Sequence, residues 1–525
     1  MKLKKIVDKI FLDDEEKKFI ESNRYKNNRN LLFNGYIFLE ITNNHFSLVH
    51  NTFLINDKKF KNKKFIGLWT PSMQRNKGFI NFLKFIGKFF ILSLEKKKWK
   101  KIYNSIGVTE IISLNDDFKT NFFKQKNDFV KKTLKIKKKK DYLDIKFKKI
   151  LVGELMYDFY LRYFKKHQMN FDDKYEIEKI SNYVQCYYKN LDLLMLKYKK
   201  KNIDRYIPWQ ACYIQCGVPI RFFLNRGVKV IGKAQEIFSH KYTKKNYLQS
   251  FYFEDLKKDF NKLKCKKDKI KKALKSLKNR FKGIINTEIN YLAFSSFDKK
   301  KQKKIKEDIN IIIFLPDFVD SPHSSGGKFF FPDFYDWINE TLIYLENFNN
   351  LKVAIKPHPN ARYASRIFEE KLKKKYQNFL WLDIDISNHS IFEKKPNIAI
   401  SPRGSVLFEI AYHNIVPIAI GRNPCMAYPF VYTAYNKKQY FKFLNDGIQN
   451  KLKLPKKNKN LIAECYYMNF INKPEYFETI SSKIDLKKYR MASKTEDENL
   501  SMLRKFNNGF YEKQIHFHNY KKKIN

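Results

Sequence analysis

Glycine and proline are scarce in this chain, 16 and 15 in 525 residues. That excludes long flexible or proline-rich linkers and leaves many element boundaries unmarked. The six cysteines (Cys186, Cys212, Cys216, Cys265, Cys425, Cys465) show no paired two-residue spacing. A structural zinc site and a disulfide framework are therefore not expected. Acidic charge is short as well: 53 Asp and Glu stand against 106 Lys and Arg, a net +53. Such an excess predicts attraction to polyanions, whether nucleic acid, anionic lipid or phosphorylated substrate. Long apolar runs are missing. Residues 79–94 fall short of the roughly 20 needed to span a bilayer and are interrupted by Lys84 and Lys88. The first 18 residues have no apolar stretch leading to a small-residue cleavage site, so the expected compartment is the cytoplasm.

What is present supports a folded chain, since 43% of the residues are hydrophobic. At about 100–200 residues per domain the length predicts two to four domains, with two large ones the simplest division. The 49 Phe and 33 Tyr belong to a skew that AT-rich coding writes at tolerant positions, so the charge is open to two readings, a polyanion-binding feature or a mark of composition. Asn81, Lys84 and Lys88 share one stripe of a helix. This helix is read either as a core element or as one lying in a membrane interface, with the 96–101 run and its Trp99 at the headgroups.

In the first half, residues 65–70 and 108–114 read as strands around that helix, 173–201 as a helix, and 212–232 as strand, Pro-opened helix and second strand. A charged run at 298–306 marks a natural boundary. The second half alternates: strands at 310–315, 351–356, 379–383, 397–401 and 416–421, helices at 334–345, 362–376 and 404–413. Short apolar strands between helices imply a parallel sheet covered on both faces, hence an α/β, Rossmann-like fold. No GxGxxG follows a strand, so no dinucleotide fingerprint is present.

Ligands of such sheets bind beyond the strand carboxyl ends, and three loops there are unusual. Residues 316–327 (PDFVDSPHSSGG) are dense in carboxylates, hydroxyls and glycine. At 356–360 (KPHPN) two prolines hold His358 at the sheet edge, where it can donate to a phosphate or simply cap a helix. At 401–405 (SPRGS) hydroxyls, a guanidinium and a helix start converge, which suits an anion. Glu409, inside the following helix, is open to two roles: reaching a ribose hydroxyl or pairing with a basic neighbour.

KPHPN together with SPRGSVLFEIAYHNIVPI at 401–418 resembles the bacterial capsule and surface-polysaccharide glycosyltransferases of GT-B type, a group with Kdo-adding capsule enzymes, polysialyltransferases and CDP-glycerol glycerophosphotransferases. Residues 152–162 and 331–337 are similar to further segments of that family. At 414–417 (NIVP) the chain departs from the family's Gly-x-Pro turn. The resemblance implies two Rossmann-like domains with parallel sheets facing a central cleft: an acceptor-side domain at 1–300, a donor-nucleotide domain at 301–470, and a helical segment at 471–525 crossing back. Carried over by position, Lys356, His358 and Pro359 would contact the nucleotide or its phosphate. Ser401, Arg403, Gly404 and Ser405 would hold phosphate, and Glu409 a donor hydroxyl. It implies no metal and no cofactor beyond the nucleotide-sugar co-substrate.

A carboxylate is then needed as general base. Asp320, Asp158 and Glu154 are the candidates; Asp158 can also pair with Arg162 one helical turn on. The expected activity is transfer of a sugar, CMP-Kdo being one candidate donor, to a growing surface polysaccharide or lipid-linked glycan. The expected location is the cytoplasm, with the inner membrane face as a peripheral partner. Alternatives are a polyol-phosphate transferase of the same fold and a non-catalytic polysaccharide-export or polyanion-binding protein. Nucleic acid is disfavoured because no RNA-binding signature is legible.

Overall fold

The structure is a computed structural model. It describes residues 11–12, 16–17, 20–21, 33–43, 48, 51, 54–55, 60, 62–70, 82–114, 128–233, 239–247, 253–284, 296–298 and 301–472 other than 325, 328 and 360; for 82–92, 233 and 239–241 it describes the backbone alone. Two compact units divide these residues. The first holds the chain up to Phe159 together with Asn170–Tyr247, and the second holds Tyr160–Met169 and the chain from Leu248 onward. The carboxy-terminal segment expected to cross back lies, from 473 on, outside the described residues, as does Asn81.

In the first unit β1 (Tyr36–Ile41) and β2 (Lys64–Trp69) precede α1 (Phe82–Ser105), and β3 (Val108–Ser113) follows it. Next come a short hairpin, β4 (Lys146–Phe147) and β5 (Ile150–Leu151), then α2 (Gly153–Phe164), whose last turn is counted with the second unit, and α3 (Lys174–Lys197). The unit closes with β6 (Ile203–Ile207), α4 (Tyr213–Asn225), β7 (Lys229–Lys233) and β8 (Ser239–Tyr242). The sheet order is β3-β2-β1-β6-β7-β8, parallel except for β8, which runs against β7. Along β1 and β2 almost every residue is buried, as expected where helices cover both faces.

For this unit one open alternative is decided at Trp99 and one expectation is corrected. Trp99 does not reach a membrane interface: it is 3% exposed in the core with Ile37, Leu39 and Trp69, its ring 5.8 Å from that of Tyr103. Beside it Lys98 is buried against Glu16 at 2.6 Å. The strand read at 212–217 is instead the start of α4, with Pro219 inside the helix. The run was ambiguous by period, and length decides it: burial is unbroken from Cys216 to Leu224, longer than a buried strand usually runs.

The second unit begins, ahead of the charged run, with α5 (Leu256–Asn261) and α6 (Lys266–Phe281). Then β9 (Ile311–Phe314), α7 (Phe334–Leu345), β10 (Val353–Lys356), α8 (Tyr363–Lys375), β11 (Leu380–Trp381), α9 (Asn388–Phe392), β12 (Ile398–Ser401), α10 (Val406–Tyr412) and β13 (Val416–Ile420) alternate. β14 (Tyr432–Ala434), α11 (Lys437–Ile448) and α12 (Asn458–Tyr466) complete it. The order β11-β10-β9-β12-β13-β14 is parallel throughout. Counted within the unit it runs 3-2-1-4-5-6, the order of a doubly wound sheet whose direction of winding reverses between β9 and β12.

Successive strand residues serve opposite faces. Ile311 and Ile313 join the core beneath α7 and α11, while Ile312 and Phe314 join that of Ile391 and Ile410. Asp333 caps α7 by accepting from the Asp336 amide at 2.7 Å. Pro417 is tolerated inside β13 because the Val416 N–H points to Asn397 on the β12 side. The missing N–H therefore faces the β14 side, where pairing starts only at Ile418.

Candidate functional site

The reversal point of the second sheet brings the loops after β9, β10 and β12 to the same sheet end. After β9, Asp317 accepts from the Ser365 hydroxyl and pairs with Arg362, and the Val319 amide donates to it at 3.3 Å. Both partners stand at the start of α8, so the first loop is tied to the next helix. Burial lifts the Asp317 carboxyl to about 6, and the charge of Asp320 adds to the rise. One turn beyond Ser365 on α8, burial and then the charge of Asp317 lift Glu369 to about 7. Its Oε1 is buried without a hydrogen-bond partner.

Asp320 is exposed on the same loop and its charge acts on His358, which follows β10. Burial pushes His358 down to about 4; Lys356 pushes the same way, and Asp320 opposes them. The ring is therefore neutral at pH 7, able to donate from one nitrogen and accept at the other. Lys356 itself ends β10 at 3% exposure. Its ammonium donates to the Ile384 carbonyl at 3.1 Å, and burial, helped by Lys301 against the pull of Asp385, lowers it to about 8. Pro359 lies in the same turn.

After β12 the guanidinium of Arg403 donates to the Gly327 carbonyl at 2.9 Å and covers the Phe329 ring at 5.5 Å. A Cβ on Gly326 would stand 2.5 Å from Arg403 Cζ, so glycine is needed for this approach. From the next strand end Arg422 donates to the Gly326 carbonyl at 2.9 Å and grips Glu254 with two bonds of 2.6 Å. Two arginines thus hold one glycine pair. The Ser401 hydroxyl donates to the Arg403 carbonyl at 2.8 Å. Gly404 has φ +119°, and Ser405 precedes α10 without a side-chain cap bond.

The remaining candidates stand elsewhere. Glu409 is buried against Arg280, whose Nε donates to it at 2.7 Å, with the Asn388 amide on its other oxygen at 3.4 Å. Of its two open roles the structure shows the ion pair. Glu154 is likewise buried, 2.8 Å from Arg221, and burial raises its carboxyl despite that charge. Asp158 is fully buried in α2. Only Asp320 of the three proposed bases is exposed, and it is the one beside His358.

Sequence reading passed over Glu369 and Glu40, and took Asp317 only as one carboxylate of the 316–327 loop. Glu40, 1% exposed near the end of β1, accepts from the Thr70 hydroxyl at 2.9 Å, the Trp209 amide at 2.6 Å and the Cys216 thiol at 3.1 Å. Burial first, and then this carboxylate, hold the Cys216 thiol well above its ordinary value. The available signal was a lone carboxylate in an apolar strand, YIFLEI.

Among the described residues no group of three or more His, Cys, Asp or Glu is placed to hold a metal ion, and no helix is long and apolar enough to cross a membrane. The chain matches no protein-family model and no curated protein. The fold defines a class, an α/β protein with two largely parallel six-stranded sheets.

Proposed function

We propose that the protein is a glycosyltransferase of GT-B type that moves a sugar from a nucleotide-activated donor to a growing bacterial surface polysaccharide. The observation that carries this reading is that the loops bearing His358, Arg403 and the exposed carboxylate of Asp320 all leave the carboxyl end of one doubly wound sheet. In this reading the second unit holds the donor. His358 and Pro359 contact the nucleotide or its phosphate, while Ser401, Arg403, Gly404 and Ser405 surround the phosphate. The first unit serves the acceptor. With it goes a cytoplasmic location, peripheral to the inner membrane face.

The reaction breaks the bond between the anomeric carbon and the phosphate oxygen, and the electron pair leaves with the nucleotide. Arg403 offsets the charge that develops there. The acceptor hydroxyl oxygen bonds to the anomeric carbon and gives its proton to Asp320. Glu409 and Lys356 act from behind, through Arg280 and the Ile384 carbonyl, by keeping the loops in position.

Incubation with CMP-, UDP- and GDP-linked sugars, with nucleotide release followed by chromatography, tests the proposal. One donor class should be turned over by the native protein, and Asp320→Asn should lower turnover at least about a hundredfold while donor binding persists. Release from no donor, or release unchanged in Asp320→Asn, contradicts it.

A further inference from the structure

At the opposite end of the second sheet, the amino ends of β12 and β13, Asn397 and Val416 border a recess of about 620 Å³. Five lysines line it (Lys395, Lys453, Lys456, Lys457 and Lys459), and no acidic residue does. Three helices, α9, α10 and α11, end toward this side, where Lys395, Asn414 and Asn450 turn the chain back with positive φ. At about half an electron each, three helix ends offset fewer than two of the five ammonium charges. The recess therefore keeps a net positive field.

Its wall is fixed. Lys453 is held from both sides by one phenol: its amide donates to the Tyr432 hydroxyl at 3.0 Å, and that hydroxyl donates to its carbonyl at 2.9 Å. Asn458, 6% exposed, lines the recess at the start of α12; its Nδ2 donates to the Ala411 carbonyl at 2.7 Å. The Oδ1 of the same amide is buried without a hydrogen-bond partner. That oxygen is closed to solvent, so the amide belongs to the wall and not to the surface a ligand touches. A ligand that joins negative charge to hydroxyl groups suits the lysines together with the exposed amides around them. Exposed Asn397, Asn414 and Asn460 add amides suited to hydroxyls, and Leu452 and Leu454 add apolar surface for a ring face.

We propose that this recess binds an anionic carbohydrate chain, its carboxylate or phosphate groups meeting the lysines and its hydroxyls the asparagine amides. No residue of the recess belongs to the donor site, so the proposal stands whether or not the transferase reading does. If both hold, the recess retains the polymer remote from the reacting carbon.

Calorimetric titration of the full chain with tetragalacturonate, with neutral maltotetraose and with a short DNA duplex provides the test. Tetragalacturonate should bind and maltotetraose should not. Lys453→Ser/Lys457→Ser, two exposed positions that leave the core intact, should weaken binding at least about tenfold, and so should the charge reversal Lys456→Glu/Lys457→Glu. His358→Ala should bind the acidic tetramer as the native protein does, which separates this site from the donor site. No binding to the native protein, or equal binding by both lysine variants, overturns the proposal. So does tighter, equally lysine-dependent binding of DNA, which would make the recess a general polyanion patch.

Discussion

The two sheets share one strand order, yet their carboxyl ends are used in opposite ways. In the first sheet the carboxylate at the winding reversal, Glu40, is buried and takes donors from three separate segments. In the second, Asp320 is exposed and His358 and Arg403 are partly so. Topology fixes where a site can form, and burial decides whether polar groups there hold the fold or face a ligand. Each unit also contains a buried Glu–Arg pair, Glu154–Arg221 and Glu409–Arg280. Breaking such a pair leaves a buried charge alone, which costs far more than the pair contributes.

The largest expected effect follows from that contrast. Glu409→Ala should lose about 3–5 kcal/mol, read as a lower urea midpoint, because Arg280 stays buried unpaired. The folded fraction should still bind nucleotide; a stable variant that binds none would put Glu409 among the ligand contacts. Next in size is Glu369→Gln. The carboxyl is raised from 4.5 to about 7 in the folded protein, so its ionisation disfavours folding above pH 7, and the cost fades as pH falls toward 4.5. The amide should therefore gain up to about 3 kcal/mol at pH 8 and nothing near pH 4.5. A gain independent of pH would rule out a buried charge as its cause.

Glu40→Gln keeps the shape but leaves one of its donors facing an N–H, at a cost of about 1–3 kcal/mol. Nucleotide binding should be unaffected, and its loss would erase the distinction between the two sheets. The smallest stability effect is expected for Gly326→Ala, about 1 kcal/mol, because the Arg403 guanidinium must move off the new methyl group. Nucleotide affinity should fall more than stability does.

The second sheet was legible in the sequence because IIIF, VAIK, IAIS and VPIAI are apolar runs bounded by Pro, Asn and Gly, and burial on both faces removes the alternation that would blur them. The first was harder to read. β1 carries Glu40 inside an apolar run, and the run before Pro219 looks like a strand until its helical neighbours are known. The core and interface readings of the helix with Lys98 and Trp99 stayed open in the sequence because the partner that buries the lysine, Glu16, lies more than 80 positions away. That His358 and Arg403 follow strand ends was legible from the pattern of apolar runs. Glu369 was not, since nothing local marks a helical glutamate as buried beside Asp317.

In the proposed function the exposed carboxyl end of the second sheet holds a nucleotide. Thermal unfolding of the native protein with CMP, CDP, UDP and GDP, repeated on His358→Ala and Arg403→Ala, tests it most directly. At a hundredfold excess over Kd a bound nucleotide adds about 2.7 kcal/mol. A shift of several degrees with one nucleotide, lost in both variants, is expected. No shift with any of the four, or an equal shift in the two variants, would contradict it.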